Sequence, residues 1–301
     1  MVKRILAIEN PVSGLIFNHR KEREVEKILS KKYDVDVYRT KAKGDATRTA
    51  MKRGEYYDIV AASGGDGTVN EVLAGLMQIP EEKRPALICI PAGTTNLLAE
   101  TLGLPPSMAE AAKVALECDE LYMDVGMIED IYFATTISFG FFTDTTYNTP
   151  QHLKNMFGYA AYVMGAVKSL NNLEPYHMKI TLDDQVVEDE FILGAVSNVL
   201  AIGGVIKLDK SIVAVDDGVF EVLLIKKPNN ATEFGTLMAS FAYKDYNSEF
   251  LRLYKTKNLK IEIDKPIPWT VDGEYLKDFA TVDIKLFEKA IRIYRPESEK
   301  Q

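Results

Sequence analysis

Cysteine, histidine and long apolar runs are all scarce in this chain. Only Cys89 and Cys118 occur among its 301 residues, and their spacing matches neither a zinc site nor a disulfide framework, which favours a reducing cytosol. The three histidines lie outside every motif, so the pattern gives no Ser-His-Asp hydrolase and no histidine metal centre. The longest uncharged run, 191–206, is shorter than the roughly 20 apolar residues of a membrane helix, and "MVKRILAIENP" lacks the long apolar region and cleavage site expected of a signal peptide.

Positive charge is not in excess either. Lysine and arginine total 36 against 44 acidic residues, and the net charge of −8 argues against nucleic acid as the partner. What the chain does contain is 47% hydrophobic and 27% charged residues, which is typical of a folded globular protein. Its length suits two domains that each bury a core.

The order of apolar and polar segments changes near Gly126. Before it, strand-like runs such as "RILAIEN" and "DIVAAS" alternate with helix-like segments, which predicts an α/β domain (1–125) with a doubly wound parallel sheet. After it, short apolar strands predict a mainly antiparallel second domain (126–301), a β-sandwich or flattened barrel. Two helices are expected to interrupt these strands, at 153–170 and 232–243.

The stretch "SGGDGTVNE" places three glycines around Asp66 directly after a predicted strand. Its spacing matches neither a Walker A loop nor a dinucleotide-binding fingerprint. A carboxylate about 4 Å from a phosphate charge costs about 4 kcal/mol at an effective dielectric near 20, whereas a divalent cation between the two makes the contact favourable. The loop therefore fits a metal-bound triphosphate, and a tight turn with an exposed Asp66 is the alternative.

Helix starts and further loops are predicted around this stretch. Thr68 and Glu71 have the spacing of a capping box, so a helix should begin at Val69 with its free N–H groups facing the loop, and Asp45 should be the N-cap of the preceding helix. Polar loops containing glycine, "NPVSG" and "PAGTTN", follow two other strands. Because the carboxyl ends of parallel strands share one edge, the three loops should meet there.

The motifs "NPVSG", "GGDGTVNE", "PAGTTN", "MDVG" and "VDGE" together resemble the diacylglycerol kinase catalytic-domain family. Within it, they are similar to bacterial lipid kinases related to sphingosine and ceramide kinases. The likeness covers nearly the whole chain, and "VNE" with "GTTN" points away from NAD kinases and phosphofructokinases, which share GGDGT. It implies ATP-dependent, Mg²⁺-assisted phosphorylation of a lipid hydroxyl, with diacylglycerol as the default acceptor and phosphatidic acid as the product.

The resemblance also assigns residues to the site. It pairs Asp66 with Asp124 of "MDVG" as the carboxylates that organise catalytic Mg²⁺, and it makes Glu274 of "VDGE" the base that takes the acceptor's proton. The residues implied to contact the nucleotide are Asn10, Pro11, Ser13, Gly14, Thr40, Gly64, Gly65, Asp66, Gly67, Thr68, Asn70, Glu71, Gly93 and Thr94. From the residues alone, Asp272–Gly273 before Glu274 is a hairpin turn.

Two further positions bear on metal and catalysis. The segment "AVDDGVFEV" resembles a structural Mg²⁺ site with the Asp217 side chain and the Val219 carbonyl as ligands, and an Asp–Gly hairpin is the alternative. Leu97 follows "GTTN" where family members usually have an acid. This departure leaves open weaker catalysis or a different acceptor.

The expected partner is a lipid at the membrane surface, reached without a transmembrane segment by a cytoplasmic protein that associates peripherally. Nucleic acid is not expected, and a homodimer is left open. Three alternatives remain for the function: a kinase of a sphingoid or another glycerolipid, an NAD kinase-like enzyme, or a nucleotide- or lipid-binding protein that has lost turnover. An apolar stripe within 156–170 is expected to pack against the second domain's sheet, with membrane contact as the alternative.

Overall fold

The computed structural model describes residues 2–11, 19–140, 174–183, 185–202, 206–209, 211–271 and 274–297. Contacts divide the chain into two compact units. Unit 1 contains residues 1–135, 198–218 and 286–301, and unit 2 contains residues 136–197 and 219–285. The chain therefore returns to unit 1 twice after leaving it.

Unit 1 is built on a parallel sheet. Its strands are β1 (Arg4–Glu9), β2 (Asp34–Arg39), β3 (Ile59–Gly64) and β4 (Ala86–Pro91). They lie in the order β2-β1-β3-β4 with every neighbouring pair parallel. Unit 1 also contains a short antiparallel pair, β5 (Cys118–Ile128) and β6 (Ile131–Phe133).

Helices cover both faces of this sheet. They are α1 (His19–Leu29), α2 (Asp45–Arg53), α3 (Asp66–Leu76), α4 (Leu97–Thr101) and α5 (Met108–Val114). Because successive strand residues point to opposite faces, Ile5 and Ala7 pack with α1 and α5, whereas Leu6 and Ile8 pack with α2, α3 and α4. The doubly wound parallel sheet is confirmed.

Two predicted helix starts are wrong. Helix α2 begins at Asp45 itself, and its N-cap is Gly44 in the left-handed conformation. The Asp45 carboxylate does not cap the helix; it accepts hydrogen bonds from Lys41 N and the Tyr38 hydroxyl, which precede the helix. Helix α3 begins at Asp66, three residues before the predicted start, and its N-cap is Gly65. Its supposed capping box does not form.

Unit 2 is mainly antiparallel, as predicted. Its strands are β7 (Thr136–Gly140), β8 (Tyr176–Leu182), β9 (Gln185–Phe191), β10 (Leu193–Ser197), β13 (Phe220–Ile225), β14 (Leu251–Thr256), β15 (Asn258–Val271) and the first part of β16 (Glu274–Pro296). The short pair β11 (Ala201–Ile202) and β12 (Ile206–Lys207) lies in the segment assigned to unit 1. In unit 2, every recorded strand pair is antiparallel.

Helix α6 (Ala231–Tyr243) corresponds to the helix predicted at 232–243. Its N-cap Asn230 accepts a hydrogen bond from Glu233 N, the local arrangement that favours a helix start. The helix predicted at 153–170 and the apolar stripe within 156–170 lie outside the described residues.

Candidate active site

The loops that follow β1, β3 and β4 meet at one edge of the parallel sheet. Asn10 N donates to Ser63 O at 2.9 Å, and Ala92 N donates to Gly64 O at 2.9 Å, so each loop is held to its neighbour as it leaves the sheet. The Asn10 side chain also donates to Thr68 Oγ1 at 2.9 Å. The residues predicted to bind the nucleotide from these loops are thus brought together, except Ser13 and Gly14, which lie outside the described residues.

The second and third loops touch through two glycines. A Cβ added to Gly93 would lie 2.5 Å from Gly65 Cα and 2.9 Å from Asn96 Oδ1, closer than real contacts of this kind. Asn96 reinforces the junction, since it adopts a left-handed conformation and exchanges two hydrogen bonds of 2.9 Å with the backbone of Gly93. The result is a close junction of two backbone segments beside the first turn of α3, and a helix N-terminus is a favourable setting for an anion.

Asp66 joins the same two loops from its place in the first turn of α3. Its half-buried carboxylate accepts hydrogen bonds from the backbone N–H groups of Asn96, Leu97 and Leu98, which open α4. Burial raises the pKa of Asp66, and these N–H groups act against that rise. The negative charge of Asp66 is therefore already compensated by helix N–H groups in part, which the sequence did not reveal.

The departure at Leu97 has a structural explanation. Its side chain is buried in the hydrophobic core of unit 1, together with Leu98. Only the backbone N–H of Leu97 reaches Asp66. An acid at this position, with the same backbone, would have to leave the core.

Two residues predicted to contact the nucleotide, Asn70 and Glu71, have side chains that bond to other parts of unit 1. Asn70 Oδ1 accepts from Ala134 N at 3.0 Å, which ties α3 to the residues after β6. Glu71 Oε1 accepts from Gly44 N at 2.8 Å, at the start of α2. Both residues position α3, and their contact with a nucleotide stays a prediction.

Thr40 lies at the end of β2, where its N–H donates to Glu9 O at 2.9 Å, and Thr94 is exposed in the third loop. Pro11, half-buried, follows Asn10. Gly67 is exposed in the first turn of α3. These placements put all four residues at or next to the carboxyl ends of the parallel strands.

A buried acid, Glu9, stands immediately before Asn10 and was missed by the sequence analysis. Arg39 Nε lies 3.1 Å from Glu9 Oε2 and 3.7 Å from Glu22 Oε2, so one arginine from β2 faces two acids. Burial, opposed by Arg39 and assisted by Glu22 and Glu26, raises the pKa of Glu9 to about 7. A charged residue closing the apolar run "RILAIE" was the available signal.

We expect Glu9→Gln to flatten the dependence of stability on pH. Because the folded pKa of Glu9 lies above its usual 4.5, the folded protein binds more protons between these values, and the free energy of unfolding falls as the pH rises from 4.5 to about 7. Ionised Glu9 costs up to about 3 kcal/mol above this window. Urea unfolding across the window should show a smaller fall for Glu9→Gln than for wild type or for Glu24→Gln, an exposed control on α1; equal slopes would contradict the assignment.

Asp124 is fully buried, with 0% of its surface exposed. Its Oδ2 accepts from Gly218 N and its Oδ1 from Lys289 N, both at 2.7 Å. Burial raises the pKa of Asp124, and these two N–H groups oppose the rise. Asn198, which sequence reasoning missed, donates from Nδ2 to Asp124 O at 3.1 Å.

The remaining predicted residues lie on turns. Glu274 is exposed at the first position of β16 and stands opposite Val271 in the antiparallel pair, while the hairpin residues 272 and 273 lie outside the described residues. Asp217 is exposed in a turn closed by Gly218, which has φ 76°, and Val219 follows. Within the described ranges, no group of three or more His, Cys, Asp or Glu residues is arranged to hold a metal ion.

Two family models together match most of the chain. The diacylglycerol kinase catalytic domain matches residues 4–128, and the YegS C-terminal NAD kinase beta sandwich-like domain matches residues 135–295. No helix among the described residues has the length and apolar character needed to cross a membrane.

Curated proteins and solved structures agree with these matches. The chain is 32% identical to a diacylglycerol kinase of Bacillus subtilis (strain 168), over 91% of this chain and 90% of that protein. It is 30% identical to a diacylglycerol kinase of Staphylococcus carnosus (strain TM300), over 100% and 97% of the two chains. A crystal structure of one of the diacylglycerol kinases from Bacillus anthracis str. Sterne superposes with a TM-score of 0.78 at 27% identity, covering 98% of each chain. The chain thus belongs to the diacylglycerol kinase family of lipid kinases, which are phosphotransferases with an alcohol group as acceptor.

Proposed function

We propose that this protein transfers the γ-phosphoryl group of ATP to the free hydroxyl of diacylglycerol, forming phosphatidic acid and ADP. The observation that supports this best is the close backbone contact of Gly65 and Gly93 at the sheet edge, next to the first turn of α3. Glycine at both points lets the two loops approach each other closely, so that a chain of phosphates can lie against the first turn of α3. The curated relatives at 32% and 30% identity are named diacylglycerol kinases, which supports the acceptor.

The nucleotide is proposed to lie along the three loops of unit 1. The residues proposed to bind it are Asn10, Pro11, Ser13, Gly14, Thr40, Gly64, Gly65, Asp66, Gly67, Thr68, Asn70, Glu71, Gly93 and Thr94. Residues 1–125 would then form the nucleotide domain and 126–301 the lipid domain. The N–H groups of the loops would orient the phosphates so that the terminal phosphorus is open to attack.

In the transfer step, the acceptor oxygen forms a bond to the γ-phosphorus as the bond from this phosphorus to the β–γ bridging oxygen breaks. The acceptor's proton passes to a carboxylate, and the electron pair of the broken bond leaves with ADP. Glu274 is the residue proposed to take the proton. Its exposed position at the start of a paired strand, opposite Val271, leaves the carboxylate accessible to a substrate.

Magnesium fits the proposed site at Asp66. This carboxylate accepts N–H groups from Asn96, Leu97, Leu98 and its own residue, and because it is only half-buried, a water bound to the ion can still approach it. When bound, Mg²⁺ supplies charge neutralisation of the phosphates. Asp217 and Val219 are proposed to hold a second, structural ion. Asp124, the other carboxylate that the resemblance assigns to the catalytic ion, does not fit, because it has no exposed surface.

Because the acceptor is a membrane lipid, we propose that the protein works in the cytoplasm and associates peripherally with the bilayer. Light scattering of the purified protein, with and without lipid vesicles, would measure its mass and so distinguish a monomer from a homodimer.

The experiment that tests the function offers radiolabelled ATP and Mg²⁺ to the purified protein with mixed micelles of diacylglycerol, ceramide or sphingosine, and separately with NAD. We expect labelled phosphatidic acid, identified by mass, and its loss in Asp66→Ala. Label in another lipid would correct the acceptor, and formation of NADP would replace the proposal by an NAD kinase. ATP binding without transfer to any lipid of a total extract would overturn it in favour of a binding protein.

A further inference from the structure

Asp124 makes four hydrogen bonds to two other segments of unit 1. Besides the two 2.7 Å bonds that its carboxylate accepts from Gly218 N and Lys289 N, its own N–H donates to Val215 O at 2.8 Å. Its carbonyl oxygen accepts from Asn198 Nδ2 at 3.1 Å. Each side-chain oxygen thus has an N–H partner, and each backbone group is also satisfied.

The partners of Asp124 come from parts of the chain that enter unit 1 from elsewhere in the sequence. Asn198, Val215 and Gly218 belong to the segment 198–218, and Lys289 belongs to the final part of β16. Asp124 itself lies in the middle of β5, which pairs with β16. One buried residue therefore joins both returning segments to the first 135 residues.

The two N–H groups bound by the carboxylate belong to residues with unusual backbone conformations. Gly218 has φ 76°, and Lys289 has φ 50°, the left-handed region that a residue with a side chain rarely adopts. Short hydrogen bonds to an ionised carboxylate are stronger than those between neutral groups. Such bonds are suited to hold Lys289 in a conformation it would otherwise avoid.

A metal ligand requires a different setting. A carboxylate that binds Mg²⁺ directly or through water must present an oxygen to a space that the ion or its water can occupy. Asp124 has 0% exposure, and both oxygens face backbone N–H groups at 2.7 Å. The carboxylate of Asp124 is therefore already bound by two backbone N–H groups of the fold.

We infer that Asp124 is a structural clasp, which fixes the turn 215–218 and the end of β16 to β5, and that it is not a magnesium ligand. This inference does not depend on the proposed function, because it concerns how unit 1 is held together.

Asp124→Asn tests the clasp with little change of shape. The amide keeps one acceptor oxygen and replaces the other by an NH₂ group, which cannot accept from Gly218 N or Lys289 N. We expect hydrogen exchange at one or both of these amides to become roughly 10- to 100-fold faster, since a buried N–H loses its partner. The midpoint of thermal unfolding should fall together with it.

The same measurements in Mg²⁺ and in EDTA separate a clasp from a metal ligand. If Asp124 is a clasp, Asp124→Asn lowers the unfolding midpoint by the same amount in Mg²⁺ and in EDTA. This holds even if loss of an ion at Asp217 makes both proteins less stable in EDTA. If Asp124 bound the ion, the difference between wild type and Asp124→Asn would disappear in EDTA, and the inference would be overturned. Asp130→Asn, an exposed control in the turn after β5, should match wild type throughout.

Wild-type protein provides a second measurement in case Asp124→Asn does not fold. The Lys289 amide should remain protected from exchange when Mg²⁺ is replaced by EDTA, because its partner is the carboxylate itself. Loss of this protection on chelation would show that the ion is needed to hold Asp124, contrary to the inference.

Discussion

Replacing Glu274 by glutamine is expected to lower the rate of lipid phosphorylation roughly 100-fold or more, which is the usual contribution of a general base. Glutamine keeps the size and hydrogen-bonding capacity of the side chain but cannot accept the proton of the acceptor hydroxyl. Binding of ATP should be unchanged, because the residues proposed to bind the nucleotide are others. The measurement is the turnover number with diacylglycerol micelles, beside the dissociation constant for ATP from calorimetry.

Asp283→Asn is the matched control for Glu274→Gln. Asp283 is an exposed carboxylate on the same strand, β16, so its replacement removes an equal charge from the same element. It should leave the turnover number near that of wild type. If Glu274→Gln turns over as fast as this control, Glu274 is not the base.

The parallel sheet of unit 1 could be predicted because each of its strands is recognisable from its own short run of apolar residues. Runs such as "RILAIE" and "IVAASG" are apolar on both faces, which is the pattern of a strand covered by helices on both sides. The edge where the loops meet follows from this arrangement, since all four strands end there. Local pattern was enough to predict that the loops of the candidate site meet at one edge of this sheet.

The partners of the acidic side chains could not be predicted because they are distant in sequence. Glu71 has the correct spacing for a capping box, yet its carboxylate bonds Gly44 N, on a different helix. Asp124 bonds N–H groups 94 and 165 positions away. No spacing rule reaches so far, and a carboxylate that satisfies backbone N–H groups looks, in sequence, the same as one that binds a metal.

Asp66 shows how the fold changes an electrostatic argument made from sequence. An acid in a phosphate-binding loop appeared to require a divalent cation, because no basic residue stands beside it in the motif. The structure adds three backbone N–H groups from the start of α4, which stabilise the ionised carboxylate without any ion. These N–H groups compensate the charge in part, while burial still raises the pKa of Asp66, and the proposed role of Asp66 in binding Mg²⁺ depends on the phosphates that share the ion.

The junction of the loops leads to the second large effect, expected for Gly93→Ala. The added methyl group would lie 2.5 Å from Gly65 Cα, so the loops after β3 and β4 must move apart by a substantial fraction of an ångström. Displacements of about 1 Å in a reacting group can lower a rate roughly 100-fold, and we expect a loss of this order in kcat/KM for ATP.

Thr95→Ala distinguishes this effect from general damage to the third loop. Thr95 is exposed two residues further along in the same loop, and its replacement by a smaller residue should retain the activity of wild type. For Gly93→Ala, the unfolding free energy should fall by about 1–3 kcal/mol, the usual cost of overpacking. A variant that loses this stability but keeps its kcat/KM for ATP would show that the close contact of Gly65 and Gly93 serves folding alone, and the nucleotide would have to bind elsewhere.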